Sequence, residues 1–126
     1  MYLIFDTETT GLPRSFSAPI TDTDNWPRVV QLAWQLHDEE GKLVRRKDAL
    51  IQPNGFTIPY DSERIHGIST ALATQEGIPL DEVVLSFLED LKLAKFMVGH
   101  NLKFDINVLG CELVRLGMDS SLATLS

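Results

Sequence analysis

Asp6-Thr7-Glu8 follows directly on an apolar run, Tyr2-Leu3-Ile4-Phe5. Residues two apart in an extended chain project to the same side, with Cα atoms about 6.5–7 Å apart. Two carboxylates so placed can grip one hard cation together, or let Asp6 bridge two cations about 3.5–4 Å apart, an arrangement that serves phosphodiester cleavage. Taken alone, an Asp-x-Glu also suits acids that are merely solvated or that cap a turn. A third acid, Asp105, follows Asn101, a helix-capping residue type. That position is in the first turn of a helix, where amide dipoles favour an ionised carboxylate. Asp22 and Asp24 lack the Gly turn and distal Glu of a calcium loop and read as solvated. Cys111 falls on a helix and reads as packing.

The elements that must position these acids follow from the hydrophobic pattern. Residues 2–5 are apolar at every position, which predicts a central strand buried on both faces. Pro13, Pro19 and Pro27, with the Ser, Thr, Asp and Asn residues between them, predict a long connecting loop. Residues 28–37 place Val30, Leu32, Trp34 and Leu36 on one face, predicting a second strand. After the turn at Asp38-Glu39-Glu40-Gly41, residues 42–52 form a third strand, whose Arg45, Arg46, Lys47 and Asp48 suit a solvent-facing edge. Short helical pieces follow. One has Asp61 or Ser62 as its N-cap and Gly67 as its stop, and another runs from Ser69 to Glu76. Leu80, Val84, Phe87, Leu88 and Leu91 recur at helical spacing, with Asp81 and Glu82 at the favoured end of the dipole. Residues 95–99 predict a short buried strand. Asn101 then opens a helix with the stripe Leu102, Ile106, Leu109, Leu113 and Leu116, ending at Gly117. The order β-β-β-α-β-α is that of a mixed sheet with helices packed against it.

Composition narrows the function classes. The 126 residues carry 18 acidic and 11 basic side chains, a net charge of −7 and no more than one domain. An apolar fraction of 44% is enough for a sizeable core. Net acidity excludes a protein that holds long duplexes by neutralising many phosphates, but suits an enzyme that gathers carboxylates at one site and meets only a few nucleotides. The chain shows no apolar run long enough for a membrane span and no signal-peptide pattern. A single cysteine fits a reducing compartment, and the cytoplasm is the expected location.

Two longer strings are more specific than any spacing: Phe5-Asp6-Thr7-Glu8-Thr9-Thr10-Gly11-Leu12 and Gly99-His100-Asn101-Leu102-Lys103-Phe104-Asp105. They resemble the first and second motifs of the DnaQ-like (DEDD) 3′-to-5′ exonucleases, the family of polymerase III proofreading (epsilon) subunits, ribonuclease T and oligoribonuclease. Between them, Trp26 to Ala33, Gln52-Pro53, Ile65-His66-Gly67-Ile68 and Gly77 to Leu80 are similar to the family's connecting pattern, so the resemblance covers nearly the entire chain. It implies a ribonuclease H-like α/β fold and release of nucleoside 5′-monophosphates from a single-stranded DNA or RNA 3′ end. It implies Asp6, Glu8 and Asp105 as catalytic ligands of two divalent cations, Mg²⁺ or Mn²⁺. Leu12 and Phe104 resemble the residues that wedge and stack the terminal base, a contact that binds without reading sequence, with a core role as the equal alternative for Phe104. Thr9 resembles a position that approaches the last nucleotide, with a turn role before Gly11 as the competing reading. His66, His100 and Asn101 stand in family-like contexts as substrate contacts. Either histidine can equally be a packed or surface residue, and neither matches the general base. A DNA polymerase subunit is the partner the resemblance suggests.

The family completes its site with a His or Tyr shortly before a fourth Asp, well downstream of the second motif. Only 21 residues follow Asp105, and none is His or Tyr. Asp119 is too near in sequence to serve, and Met118 to Leu122 reads as a connection after a helix. The expectation is therefore that residues 1–126 are the N-terminal portion of a single exonuclease domain, weakly active or inactive alone. The alternative is a non-catalytic module of the same fold that binds a nucleotide end or a polymerase partner.

Overall fold

The computed structural model describes residues 1–118; Asp119 and the connection assigned to its vicinity lie outside the described residues. The elements run β1 (Tyr2–Thr9), β2 (Val29–His37), β3 (Leu43–Leu50), α1 (Tyr60–His66), α2 (Thr70–Glu76), α3 (Leu80–Leu91), β4 (Phe96–Val98) and α4 (Leu102–Arg115). The four strands form one sheet in the order β3-β2-β1-β4. The first three pair antiparallel, and β4 joins β1 in parallel. The expected mixed sheet with flanking helices is present, with β1 internal and β3 at an edge.

One face of this sheet makes the core. Val30 is buried in a second, smaller cluster with Ile58, Ile68 and Ala73, while Leu3 and Phe5 of β1 and Leu32, Trp34 and Leu36 of β2 form the main core. The α3 stripe meets them, Phe87 placing its ring edge-on to Phe5 at 5.2 Å and to Trp34 at 5.4 Å. Such edge-to-face pairs suit the aromatic quadrupole. Val108, Leu109, Cys111 and Leu113 close the core from α4. Two carboxylates sit inside it. Asp90 accepts hydrogen bonds from Trp34 Nε1 at 2.8 Å and Arg45 Nη1 at 2.7 Å. Glu112, with no exposed surface, accepts from Arg28 Nε, Arg115 Nη1 and the Val29 backbone N–H at 2.9, 2.7 and 3.1 Å. Arg115 also donates to the carbonyls of Thr23 and Trp26, so α4 holds the long loop in place.

The structure corrects four local expectations. β1 is buried on one face only: Tyr2 and Ile4 point away from the helices and are exposed. β4 is not a buried strand, since Phe96 and Val98 lie on that same open face. Tyr2 and Phe96 cover each other there, their rings stacked at 5.4 Å. An all-apolar run marks a two-sided strand only when layers cover both sides, and among the described residues helices cover one. α1 takes Pro59 rather than Asp61 or Ser62 as its N-cap, because Ser62 is buried and its hydroxyl donates to the Thr10 carbonyl at 2.6 Å. Asn101 stands at the N-cap of α4, but its side chain makes no capping hydrogen bond. Other boundaries follow the pattern closely: Ser69 caps α2 by accepting from Leu72 N–H, α3 spans the residues expected, and Gly67 ends α1 at φ 76°.

Candidate functional site

β1 delivers Asp6 and Glu8 to the end of the sheet nearest β4 and α4. The strand continues to Thr9, so the pleat turns Asp6 and Glu8 to the open face and Thr7 to the core side. A register shift between Glu8 and Thr9 then redirects the chain into the loop. The Thr9 hydroxyl donates to the Gly11 carbonyl at 2.8 Å, which gives Thr9 the turn role. From the other side, the chain leaving β4 must pass close to β1. A Cβ on Gly99 would lie 3.1 Å from the Phe5 carbonyl oxygen, so a glycine lets His100 and Asn101 come alongside Asp6.

Two hollows form here. One, of about 280 Å³, is lined by Glu8, Thr9, Leu12, His66 and Phe104, together with Thr7 and Ser62. Five of the residues singled out in the sequence thus meet, although they come from β1, the following loop, α1 and α4. Leu12 is 76% exposed at this site, and Phe104 lies 6.4 Å from the Phe16 ring. His66 accepts the Ile68 N–H at its Nδ1, 3.0 Å away. An acceptor nitrogen carries no proton, so the neutral ring keeps its hydrogen on Nε2. That Nε2 is shielded from solvent and has no partner. The second hollow, of about 300 Å³, lies on the open face of the sheet and contains Asp6 and His100. The structure therefore separates the two histidines, and His100 does not share the Phe104 hollow. Asn101 is exposed and lines neither hollow.

Asp105 sits in the first turn of α4 and is 2% exposed. Its Oδ1 accepts the Thr7 hydroxyl at 2.6 Å, and its Oδ2 is buried without a partner. Loss of hydration pushes this carboxyl up from 3.8 to about 6, against the Thr7 hydrogen bond and with the negative charges of Asp6 and Glu8 adding to the rise. Position on the helix favours ionisation, as expected from sequence, but burial outweighs it. Thr7 escaped the sequence reading because its partner is 98 positions away. The alternation of β1 does place Thr7 on the core face, and that was the available signal.

The donor chemistry suits hard divalent cations: three carboxylates around the end of one strand, one with an unpartnered buried oxygen and a pKa raised partly by its neighbours' charge. Among the described residues, however, no three His, Cys, Asp or Glu side chains are drawn together closely enough to hold a metal ion.

Burial of Asp105 gives a pH-dependent stability. Between 3.8 and about 6 the folded chain binds more protons than the unfolded chain. Stability is therefore highest below pH 4, as far as this group is concerned, and falls as pH rises through that window, by about 3 kcal/mol at most. Asp105→Asn keeps an acceptor for Thr7 and removes the charge. In metal-free buffer the variant should lose this pH dependence and, at pH 8, melt several degrees above the parent chain. Parallel melting curves for the two proteins from pH 4 to 8 would show the carboxyl to be ionised without cost.

No protein-family model and no curated protein sequence matches the chain. Solved structures do match its fold. E. coli exonuclease I in complex with a dT13 oligonucleotide superposes with a TM-score of 0.77 and 20% identity, covering 98% of this chain and 25% of that one. A moderately thermophilic exonuclease I from Methylocaldum szegediense gives 0.71 and 23% identity, covering 90% and 23%. An exonuclease I bound to an SSB C-terminal segment gives 0.72 and 20%, covering 90% and 24%. The chain spans about a quarter of the length of these proteins. Its fold is shared with part of exonuclease I, a ribonuclease H-like mixed sheet with flanking helices. No helix among the described residues is long and apolar enough to cross a membrane.

Proposed function

We propose that this chain carries the first part of a 3′-to-5′ exonuclease site, one that removes nucleoside 5′-monophosphates from single-stranded nucleic acid and depends on divalent cations. The observation that carries the reading is the hollow at the end of β1, where Glu8, Thr9, Leu12, His66 and Phe104 converge. Its volume, near the lower bound for small-molecule sites, suits one terminal nucleoside. Phe104 offers a ring for a base to stack on, and exposed Leu12 is placed to part that base from the next. Neither contact depends on which base is present.

Asp6, Glu8 and Asp105 would hold Mg²⁺ or Mn²⁺, which supplies a Lewis acid for the phosphate and a more acidic water. Asp6 and Glu8 face the open side, where a phosphate would enter. Asp105 lies behind them, on the Thr7 side, with one oxygen left without a partner. The length of the similar structures and the uncovered sheet face support the reading of residues 1–126 as the N-terminal portion of a longer domain, with the water-activating base and a fourth acid supplied by other residues. The neighbour bound to a dT13 oligonucleotide supports a single-stranded substrate. A polymerase subunit as partner, and the cytoplasm as location, rest on the sequence alone.

Adding dTMP with Mg²⁺ to ¹⁵N-labelled protein should shift the amide signals of Thr9, Gly11, Leu12, His66 and Phe104. Phe104→Ala should weaken binding by about 5- to 100-fold, the worth of one stacked base. Shifts confined to other parts of the chain, or an affinity unchanged by Phe104→Ala, would remove the hollow as the nucleotide's seat.

A further inference from the structure

The long loop between β1 and β2 brings an aromatic ring of its own to the site. Phe16 is 57% exposed, and its ring lies 6.4 Å from that of Phe104, the two planes tilted at 50°. That separation is within the contact range of an aromatic pair. Phe16 is not among the residues that line the Phe104 hollow, so it meets Phe104 from outside it. Phe104 packs against the helix-covered core, which puts the meeting of the two rings away from the bare face of the sheet.

A long loop left to itself would let such a ring wander, but this one is tied down. Asn25, 7% exposed, accepts the Ser15 N–H at its Oδ1, 2.8 Å away, and donates from Nδ2 to the Ser15 carbonyl at 2.9 Å. One buried amide thus grips both backbone groups of the residue that precedes Phe16. The Arg14 N–H reaches the Asn25 carbonyl at 3.4 Å. Next to Asn25, buried Trp26 donates from Nε1 to the Pro19 carbonyl at 3.0 Å, and its own carbonyl is held by Arg115 at 2.6 Å. Helix α4 therefore carries Phe104 at one end and, at the other, anchors the loop that returns Phe16 to it. Buried polar groups with all partners in place rigidify what they hold.

Phe104 borders an open hollow, and a side chain with space on one side can swing into it. A ring held against a second ring keeps its angle and loses less freedom when a base stacks on it. We propose that Phe16 is a positioning residue that buttresses the Phe104 ring in the attitude that receives the terminal base, so that the loop sets the strength of base binding without touching the base. The proposal rests on the Phe104 hollow as the seat of the terminal nucleoside.

NMR titration in Mg²⁺ with dTMP and with deoxyribose phosphate, which has the sugar and the phosphate but no base, tests this. Phe16→Ala should weaken dTMP by about 2- to 10-fold, the worth of one aromatic pair, and leave deoxyribose phosphate unchanged. Phe16→Tyr, which keeps the ring, should bind dTMP like the parent. Because Phe16 acts through Phe104, Phe16→Ala added to Phe104→Ala should cost nothing further. Phe16 is largely exposed, so its variants should melt with the parent. Equal losses for the two ligands, a Phe16→Tyr as weak as Phe16→Ala, additive losses in the double variant, or no loss for Phe16→Ala each overturn the positioning role while the nucleotide seat stands. A parent chain that holds dTMP no more tightly than deoxyribose phosphate, or a Phe104→Ala variant that binds dTMP like the parent, overturns both.

Discussion

Asp6→Asn is expected to weaken Mn²⁺ binding by at least about 10- to 100-fold, read by electron paramagnetic resonance of the free ion, without lowering the melting temperature. The two halves of this expectation have separate origins. Asp6 is exposed on the open face and holds no other part of the fold, so a neutral side chain of the same shape costs little. As a cation ligand it cannot be replaced by an amide, because its negative charge is the main attraction for a hard ion. Under the exonuclease reading the parent chain degrades a labelled single strand slowly in Mn²⁺, lacking a positioned base worth about 10²- to 10⁴-fold, and the variant does not degrade it at all. If instead Asp6→Asn binds Mn²⁺ like the parent, and nucleotide or polymerase-subunit binding survives untouched, the chain is a binding module and not a nuclease.

The second large effect is structural. Glu112→Ala should cost about 3–5 kcal/mol in urea unfolding, a large share of the stability of an ordinary domain. The loss exceeds that of a surface ion pair because Glu112 is fully buried and serves three donors at once. Its removal leaves the Arg28 and Arg115 guanidiniums without their counter-charge and strands the Val29 N–H. Those two arginines also join α4 to the start of β2 and to the loop ahead of it. An unfolding midpoint unchanged within about 0.5 kcal/mol would show that the arginines find water or other partners at no cost.

Neither Glu112 nor Asp90 was legible in the sequence as a buried ion, whereas most elements were. Alternation of Val30, Leu32, Trp34 and Leu36 marks β2, and the stripe from Leu80 to Leu91 marks α3, because periodicity is a local property. Glu112 lies on the buried side of α4, where a charged residue in a helical pattern reads as solvent-facing. Its burial becomes tolerable when Arg28 and the Val29 N–H, more than 80 positions earlier, join Arg115 as donors. Ile4 and Val98 show the converse failure. Their apolar character predicts cover, yet cover depends on a layer that no local pattern reveals. The site divides in the same way. Leu12 and Phe104 were readable through the strings that flank Asp6 and Asp105, and the hollow brings them together. The split between His66 and His100, and the place of Thr7 beneath Asp105, depend on how β1 and α4 meet.

The hydrogen bond between Thr7 and Asp105 spans 98 positions, nearly the length of the described chain. A ribosome adding about 5–20 residues per second needs roughly 5–20 s between making the first of these residues and the second. During that interval β1 can pair with β2 and β2 with β3, since those contacts are local, while β4 and α4 do not yet exist. The carboxylates of Asp6 and Glu8 are thus displayed on a nascent sheet well before the third acid arrives.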